Sequence, residues 1–124
     1  MAEAFEVRAV AKHIPISPQK VRLVIDAVRG KDAEAALSIL RFMPNKAAEP
    51  VYKLIESAVA NASQNYALEV DELIVHRIYA DDGPRHRLAP YGGRFGARGR
   101  FKPILRRSAH ITVVLTEREI VEYE

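Results

Sequence analysis

Between Gly93 and Phe101 the chain reads Gly-Arg-Phe-Gly-Ala-Arg-Gly-Arg-Phe, an interleaving of cation, aromatic ring and glycine. Arginine pairs bidentately with phosphate and stacks on flat rings. Phe95, Phe101 and the nearby Tyr91 offer stacking faces. Glycine lets backbone approach a ligand closely. From Gly83 to Thr116 there is no Asp or Glu, against eight basic residues: Arg85, Arg87, Arg94, Arg98, Arg100, Lys102, Arg106 and Arg107. The rest of the chain holds eleven basic and sixteen acidic residues, so the overall +3 conceals a +8 segment on a body at −5. Cations at this density repel one another, and a polyanionic partner relieves the repulsion. The competing reading is a solvated loop without a partner.

Other chemistries find less support. The glycines are not followed by Gly-Lys-Ser/Thr and lack a strand–helix context, so they do not form a nucleotide-hydrolase phosphate loop. There is no cysteine, which removes disulfides and thiolate metal sites and fits a reducing compartment. His13, His76, His86 and His110 are scattered without neighbouring ligands, so no metal or other cofactor is expected. A metal-free nuclease could use His86 and His110 as acid and base beside an arginine, but nothing in the sequence brings the two together. His110 is read as an RNA contact or a strand-surface residue. Met1 to Arg8 carries two acids and no apolar stretch, which argues against a signal peptide, and no apolar run is long enough for a membrane span.

The elements that must carry the basic segment follow from periodicity. At 124 residues one domain is expected, 1–124, with 82–108 a basic extension. Phe5 to Ala11 alternates, with Phe5, Val7, Ala9 and Ala11 on one side, and reads as a half-buried strand that Pro15 ends. Ser17-Pro18 reads as a helix start, Ser supplying an N-cap oxygen and Pro the N1 position. Val21, Val24, Ile25 and Val28 form one helical face, and Gly30 fits C′. Lys20 and Arg22 lie off that stripe, so their charges should matter to a ligand and not to stability. Asp32 can cap a second helix burying Ala36, Leu37 and Leu40, which Pro44 stops. A third helix runs from Asn45 to about Tyr66, with Pro50 delaying the regular helix to about Ala48. Its stripe is Val51, Leu54, Ile55, Ala58 and Ala62. The small run Ser57 to Ser63 suits close packing in the domain, with Asn61 open to packing or to RNA. Leu73 to Ala80 and Ala109 to Thr116 read as strands, the second with Ile111, Val113 and Leu115 on one side and His110, Thr112, Val114 and Thr116 on the other. Between them, glycines and prolines exclude a helix. A connection this long is usually functional or disordered, and as two extended arms of about 12 residues it would reach roughly 35–40 Å.

Four ordered motifs carry a resemblance. Ser17-Pro18-Gln19-Lys20-Val21-Arg22-Leu23-Val24 with Arg29-Gly30-Lys31, Ser57-Ala58-Val59-Ala60-Asn61-Ala62, Asp82-Gly83-Pro84, and Ala97-Arg98-Gly99-Arg100 with His110-Ile111-Thr112-Val113-Val114 resemble the signatures of bacterial-type large ribosomal subunit protein 22, over about residues 5 to 117. The resemblance implies an α+β fold: three helices packed on a small three-stranded antiparallel sheet, with a long projecting β-hairpin. It implies a structural protein, not an enzyme, that binds large-subunit ribosomal RNA, aids assembly, and sits in the cytoplasm within the ribosome beside neighbouring large-subunit proteins. It implies neither a membrane nor a small-molecule substrate as partner. Expected RNA contacts are Lys12, Ser17, Lys20, Arg22, Arg29, Arg85, Arg87, Arg100, Lys102, Arg106, Arg107 and His110. The tip, Pro90, Tyr91, Gly92, Gly93, Arg94, Phe95, Gly96, Ala97 and Arg98, is expected at the wall of the nascent-peptide exit tunnel, near where macrolides bind in the family. This chain departs from the family pattern in having Gly96 where a basic residue is usual and about four extra residues between Pro84 and Gly96, so the tip carries over in position only. The alternative to a ribosomal constituent is a free-standing RNA-binding regulatory module using the same arm.

Overall fold

The computed structural model describes residues 6–87, 93–95, 97–103 and 105–117. Strand β1 (Glu6–Ile14) leads into α1 (Pro18–Val28), α2 (Ala33–Phe42) and α3 (Ala48–Tyr66). A 3-10 turn (Val70–Glu72) precedes β2 (Leu73–Asp82). Short strands β3 (His86–Arg87), β4 (Gly93–Phe95), β5 (Phe101–Pro103) and β6 (Leu105–Arg106) follow, and β7 (Ala109–Glu117) returns. β1, β7 and β2 make a three-stranded antiparallel sheet with β7 in the centre. With three helices packed on it, this is the expected α+β fold.

The helices form where apolar periodicity lets them bury a face. Val21, Val24, Ile25 and Val28 of α1 are fully buried, and the α3 stripe Val51, Leu54, Ile55, Ala58 and Ala62 is buried with Ala48. Ala58 and Ala62 are therefore small for internal packing; Asn61, half-buried, accepts a hydrogen bond from Asn65 one turn on. α2 buries Ala33, Ala36 and Leu40, while Leu37 is only partly covered. The core is the apolar layer between these faces and Leu73, Val75, Ile78, Ile111, Val113 and Leu115 of the sheet. Each such side chain stabilises the fold by roughly 1.5–3 kcal/mol through removal from water.

One local expectation is corrected. Ser17 and Asp32 occupy N-cap positions, but neither side chain makes a capping hydrogen bond; the Ser17 carbonyl alone receives the first-turn N–H groups of Lys20 and Val21, at 3.1 and 3.2 Å. Gly30 follows the C-cap Arg29 and takes the left-handed φ of 78° that suits the expected C′ position, and its N–H donates to the Val75 carbonyl at 3.0 Å. Both faces of β7 are covered, with Thr112, Val114 and Thr116 buried on the side away from the helices. As the central strand it is flanked on that face by long side chains of both neighbours, and Arg77–Glu6 (3.1 Å) and Arg8–Tyr79 (3.5 Å) reach across it.

Beyond Asp82 the two chain segments continue to pair antiparallel, His86 with Arg106 and Gly93–Phe95 with Phe101–Pro103. The reversal falls at a turn over Ala97–Gly99, with Arg98 and Gly99 at φ 59° and 73°. The expected long projecting hairpin depends also on residues 88–92, 96 and 104, which lie outside the described residues. At its base, Gly83 and Ser108 clasp the segments together. The Gly83 N–H donates to the Ser108 carbonyl (2.9 Å), and the buried Ser108 hydroxyl donates to the Pro84 carbonyl (2.7 Å).

Candidate nucleic-acid interface

The sheet register sorts charge along the molecule. At one end β7 pairs Thr116 with Glu6 and Ile74; at the other it pairs Ala109 with Ile14 and Asp82. At the strand rise this separation is about 25 Å. Chain leaving β1 through Pro15 to Ser17 and chain arriving through Arg106 and Arg107 therefore meet at the second end. The turn before α3 completes a cleft there.

The cleft, about 380 Å³, is lined by Pro15, Ile16, Ser17, Lys20, Leu23, Asn45, Lys46, Ala47, Arg106 and Arg107. Four cations and no carboxylate line it. None of the three ion pairs among the described residues involves those cations. Ser17 and Ala47, the N-cap residues of α1 and α3, both line it, and neither helix has a side-chain cap, so the partial positive charge of two helix ends lies beside that of the side chains. Two neighbouring grooves are larger, about 500 Å³ between β1 and α3 and about 540 Å³ at the α2–α3 junction, but both include Glu49, itself paired with Lys53 at 3.1 Å. The uniform sign of charge singles out the smaller cleft for an anion.

Of the residues expected to contact RNA, the structure brings Ser17, Lys20, Arg106 and Arg107 together in this cleft. Sequence reasoning missed Asn45, Lys46 and Leu23. Lys46 carries no motif; a lysine in the turn that starts α3 was the only available signal. Arg22 and Arg29 are placed differently. Arg22 Nε and Nη2 donate to the Ala80 carbonyl at 3.2 and 2.8 Å, and Arg29 Nη2 donates to the Ile78 carbonyl at 3.1 Å while Nη1 pairs with Asp26 at 2.8 Å. With Gly30 and Lys31 bonded to Val75, these guanidiniums cover the free edge of β2. An uncovered edge would present unpaired carbonyls and invite pairing with another chain. Arg22 therefore has a structural bond despite lying off the apolar stripe, and the expectation that its charge is indifferent to stability is corrected.

His110 also has a partner. Its Nδ1 accepts the backbone N–H of His13 at 3.1 Å, and the two rings meet edge to face with centroids 4.9 Å apart. His13 sits at φ 59° in an irregularity of the β1–β7 pairing, so His110 braces a bulge. Lys12 beside it is exposed, as are Arg85, Arg98 and Arg100. Arg87, Arg94, Phe95, Ala97 and Lys102 belong to the short strands and turn of the basic segment; Pro90, Tyr91, Gly92 and Gly96 lie outside the described residues. Among the described residues no group of three or more His, Asp or Glu could hold a metal ion, and no helix is long and apolar enough to cross a membrane.

At the opposite end of the sheet, Asp32 bridges to Ile74, and Asp71 in the 3-10 turn meets Glu34 of α2. The Asp71 side chain hydrogen-bonds Glu34 and repels its charge, and with Asp32 nearby this raises the Glu34 pKa above the usual carboxylate range.

The structure is thus a small α+β sheet–helix body with a cleft of four cations where the chain entering β7 meets the starts of α1 and α3. Residues 9–116 match the family described as ribosomal protein L22p/L17e. The chain is 47% identical to large ribosomal subunit protein uL22 of Desulfitobacterium hafniense (strain Y51), covering 92% of this chain and 96% of that one. It is 49% identical to the same-named protein of Thermomicrobium roseum (90% and 92%) and 48% identical to that of Roseiflexus sp. strain RS-1 (92% and 97%). The chain belongs to the ribosomal protein L22p/L17e family, and is accordingly a structural, non-enzymatic ribosomal protein of the large subunit.

Proposed function

We propose that the chain binds large-subunit ribosomal RNA chiefly through the cleft of Lys20, Lys46, Arg106 and Arg107, and that this anchoring aids assembly of the subunit in the cytoplasm. The observation that carries the reading is the meeting of four cations from three separate stretches of chain with no carboxylate among them. Phosphate contacts of this kind supply affinity and orientation without reading sequence. Lys12, Arg85, Arg87, Arg100 and Lys102 extend the contact along the basic segment, Ser17 and the Nε2 side of His110 add hydrogen bonds, and Arg22 and Arg29 use donors left over from the β2 edge. The tip, Pro90 to Arg98, lies at the wall of the exit tunnel, where it meets the nascent peptide; family membership and the +8 segment support that part of the reading. Neighbouring large-subunit proteins are the remaining partners.

The test is binding of the full chain to large-subunit ribosomal RNA over a salt series, with co-sedimentation on large subunits in moderately high salt. Steep salt dependence and retention on the subunit support the reading; salt-independent binding, or release from the subunit with binding to unrelated RNAs, overturns it. For the tip, deleting Tyr91 to Arg94 should leave incorporation nearly normal while changing macrolide footprinting or release of a stalling peptide. Failed incorporation with both tunnel readouts unchanged in surviving particles would make this segment an RNA anchor instead.

A further inference from the structure

The cleft has more in it than a phosphate needs. Besides its cations it has an apolar wall of Pro15, Ile16, Leu23 and Ala47, and the Asn45 amide stands among them. Leu23 is 65% exposed, on the side of α1 away from its buried stripe, so it contributes little to the core. A volume of about 380 Å³ lies within the range of small-ligand sites. A helical RNA backbone crossing a flat basic surface would use neither the concavity nor the leucine. An unpaired nucleotide would use both. Its phosphates reach the cations, its sugar and base cover Leu23 and Ile16, and the amide, a donor and an acceptor together, meets a base edge.

We infer that the cleft takes one unpaired nucleotide of the RNA, phosphate on Lys20, Lys46, Arg106 and Arg107 and base against Leu23. This rests on the RNA-binding reading above and specifies what that site holds. The charge of the lining selects this occupant over a protein side chain, because an apolar anchor from a neighbouring protein would leave four cations desolvated and unpaired.

The experiment uses the full chain and the large-subunit RNA fragment it protects in footprinting, prepared also with a single abasic site at each unpaired protected nucleotide in turn. Leu23→Ala should weaken binding about fivefold, the apolar contact of a partly covered leucine, with the salt slope and the melting temperature unchanged. One abasic RNA should weaken the wild type similarly, and on that RNA Leu23→Ala should cause no further loss, because the contact is already gone. Lys46→Ala should instead flatten the slope, by roughly 0.7 for a single-stranded phosphate contact. If Leu23→Ala binds as the wild type does, or its effect is the same on every abasic RNA, the nucleotide pocket is wrong. If Leu23→Ala spares RNA binding but loosens a neighbouring protein in the subunit, the wall is a protein contact and the inference also fails. These failures are distinct from those of the RNA-binding reading, which falls if binding is independent of salt, if the chain leaves the subunit for unrelated RNAs, or if removing the cleft cations leaves the slope unchanged.

Discussion

The two ends of the sheet both concentrate like charge, and they relieve it by opposite means. At the Ile74 end, Glu34 and Asp71 share a hydrogen bond that a proton strengthens, and the cluster relaxes by raising a pKa. At the Ile14 end, the cleft gathers Arg106, Arg107, Lys20 and Lys46. Arginine does not deprotonate in proteins, so this end has no comparable internal relief. On the proposed reading, phosphates of the RNA answer its repulsion. A carboxylate cluster can be a property of the folded chain alone, whereas the carboxylate-free cleft is where the proposed RNA contact would supply the missing counter-charge. Asp81 and Asp82 do sit at the cleft's end of the sheet, but on β2, across the central strand from Ile14, and neither lines the cleft.

The contrast is tested most strongly by charge removal at each end. Arg106→Ala with Arg107→Ala should lower the magnitude of the log–log salt slope of RNA binding by roughly 1.4–1.8, the loss of two phosphate contacts. Glu34→Gln with Asp71→Asn should leave that slope as it is. Equal effects at the two ends would mean that net charge, and not the cleft, governs binding.

Next in size is the clasp that holds the arginines in place. A Cβ on Gly83 would run into the Ser108 side chain and lie 3.2 Å from its backbone carbonyl. Gly83→Ala should therefore cost about 1–3 kcal/mol by overpacking, read by chemical denaturation, and should weaken RNA binding by splaying the stem. A neutral Gly83→Ala would show that the stem accommodates the shift and that the cleft does not depend on it.

Arg22 marks the boundary between body and interface. Its replacement by Ala should cost about 1 kcal/mol of stability, less than a buried charged hydrogen bond because the side chain is largely exposed. Ser17→Ala should fall within about 0.5 kcal/mol, since no cap is lost. Both are read from melting curves. If Ser17→Ala costs as much as Arg22→Ala, the hydroxyl does cap α1 in solution.

The smallest effect is a pH dependence at the acidic end. Glu34 has its folded pKa raised, so its contribution to stability is present at pH below the ordinary carboxylate range and is lost as pH rises through the raised value. Asp71→Asn should melt slightly higher than the wild type at neutral pH, and the advantage should disappear in acid. A constant difference across pH would separate Glu34 from the effect.

What was legible in the sequence is what short-range physics dictates. Val21, Val24, Ile25 and Val28 repeat at the helical period, so α1 and its buried face follow from the chain itself. Pro50 moved the start of α3 to Ala48, and alternation marked β1 and β7. Ordered motifs announced the family, and the acid-free stretch from Gly83 to Thr116 is the part of the sequence on which the proposed RNA contact rests. Tertiary structure decided where those charges stand. Arg22 and Arg29 read as free cations until packing set them against the carbonyls of an edge strand. His110 read as a surface contact until a bulge at His13 claimed its Nδ1. Lys46 had no distinction until Ser17, Lys20 and Arg107 arrived beside it from elsewhere in the chain. Periodicity and charge blocks act between residues a few positions apart and survive in the sequence. The convergence of residues from 15–23, 45–47 and 106–107 on one cleft is set by how three helices lie on a sheet, through contacts that no local spacing records.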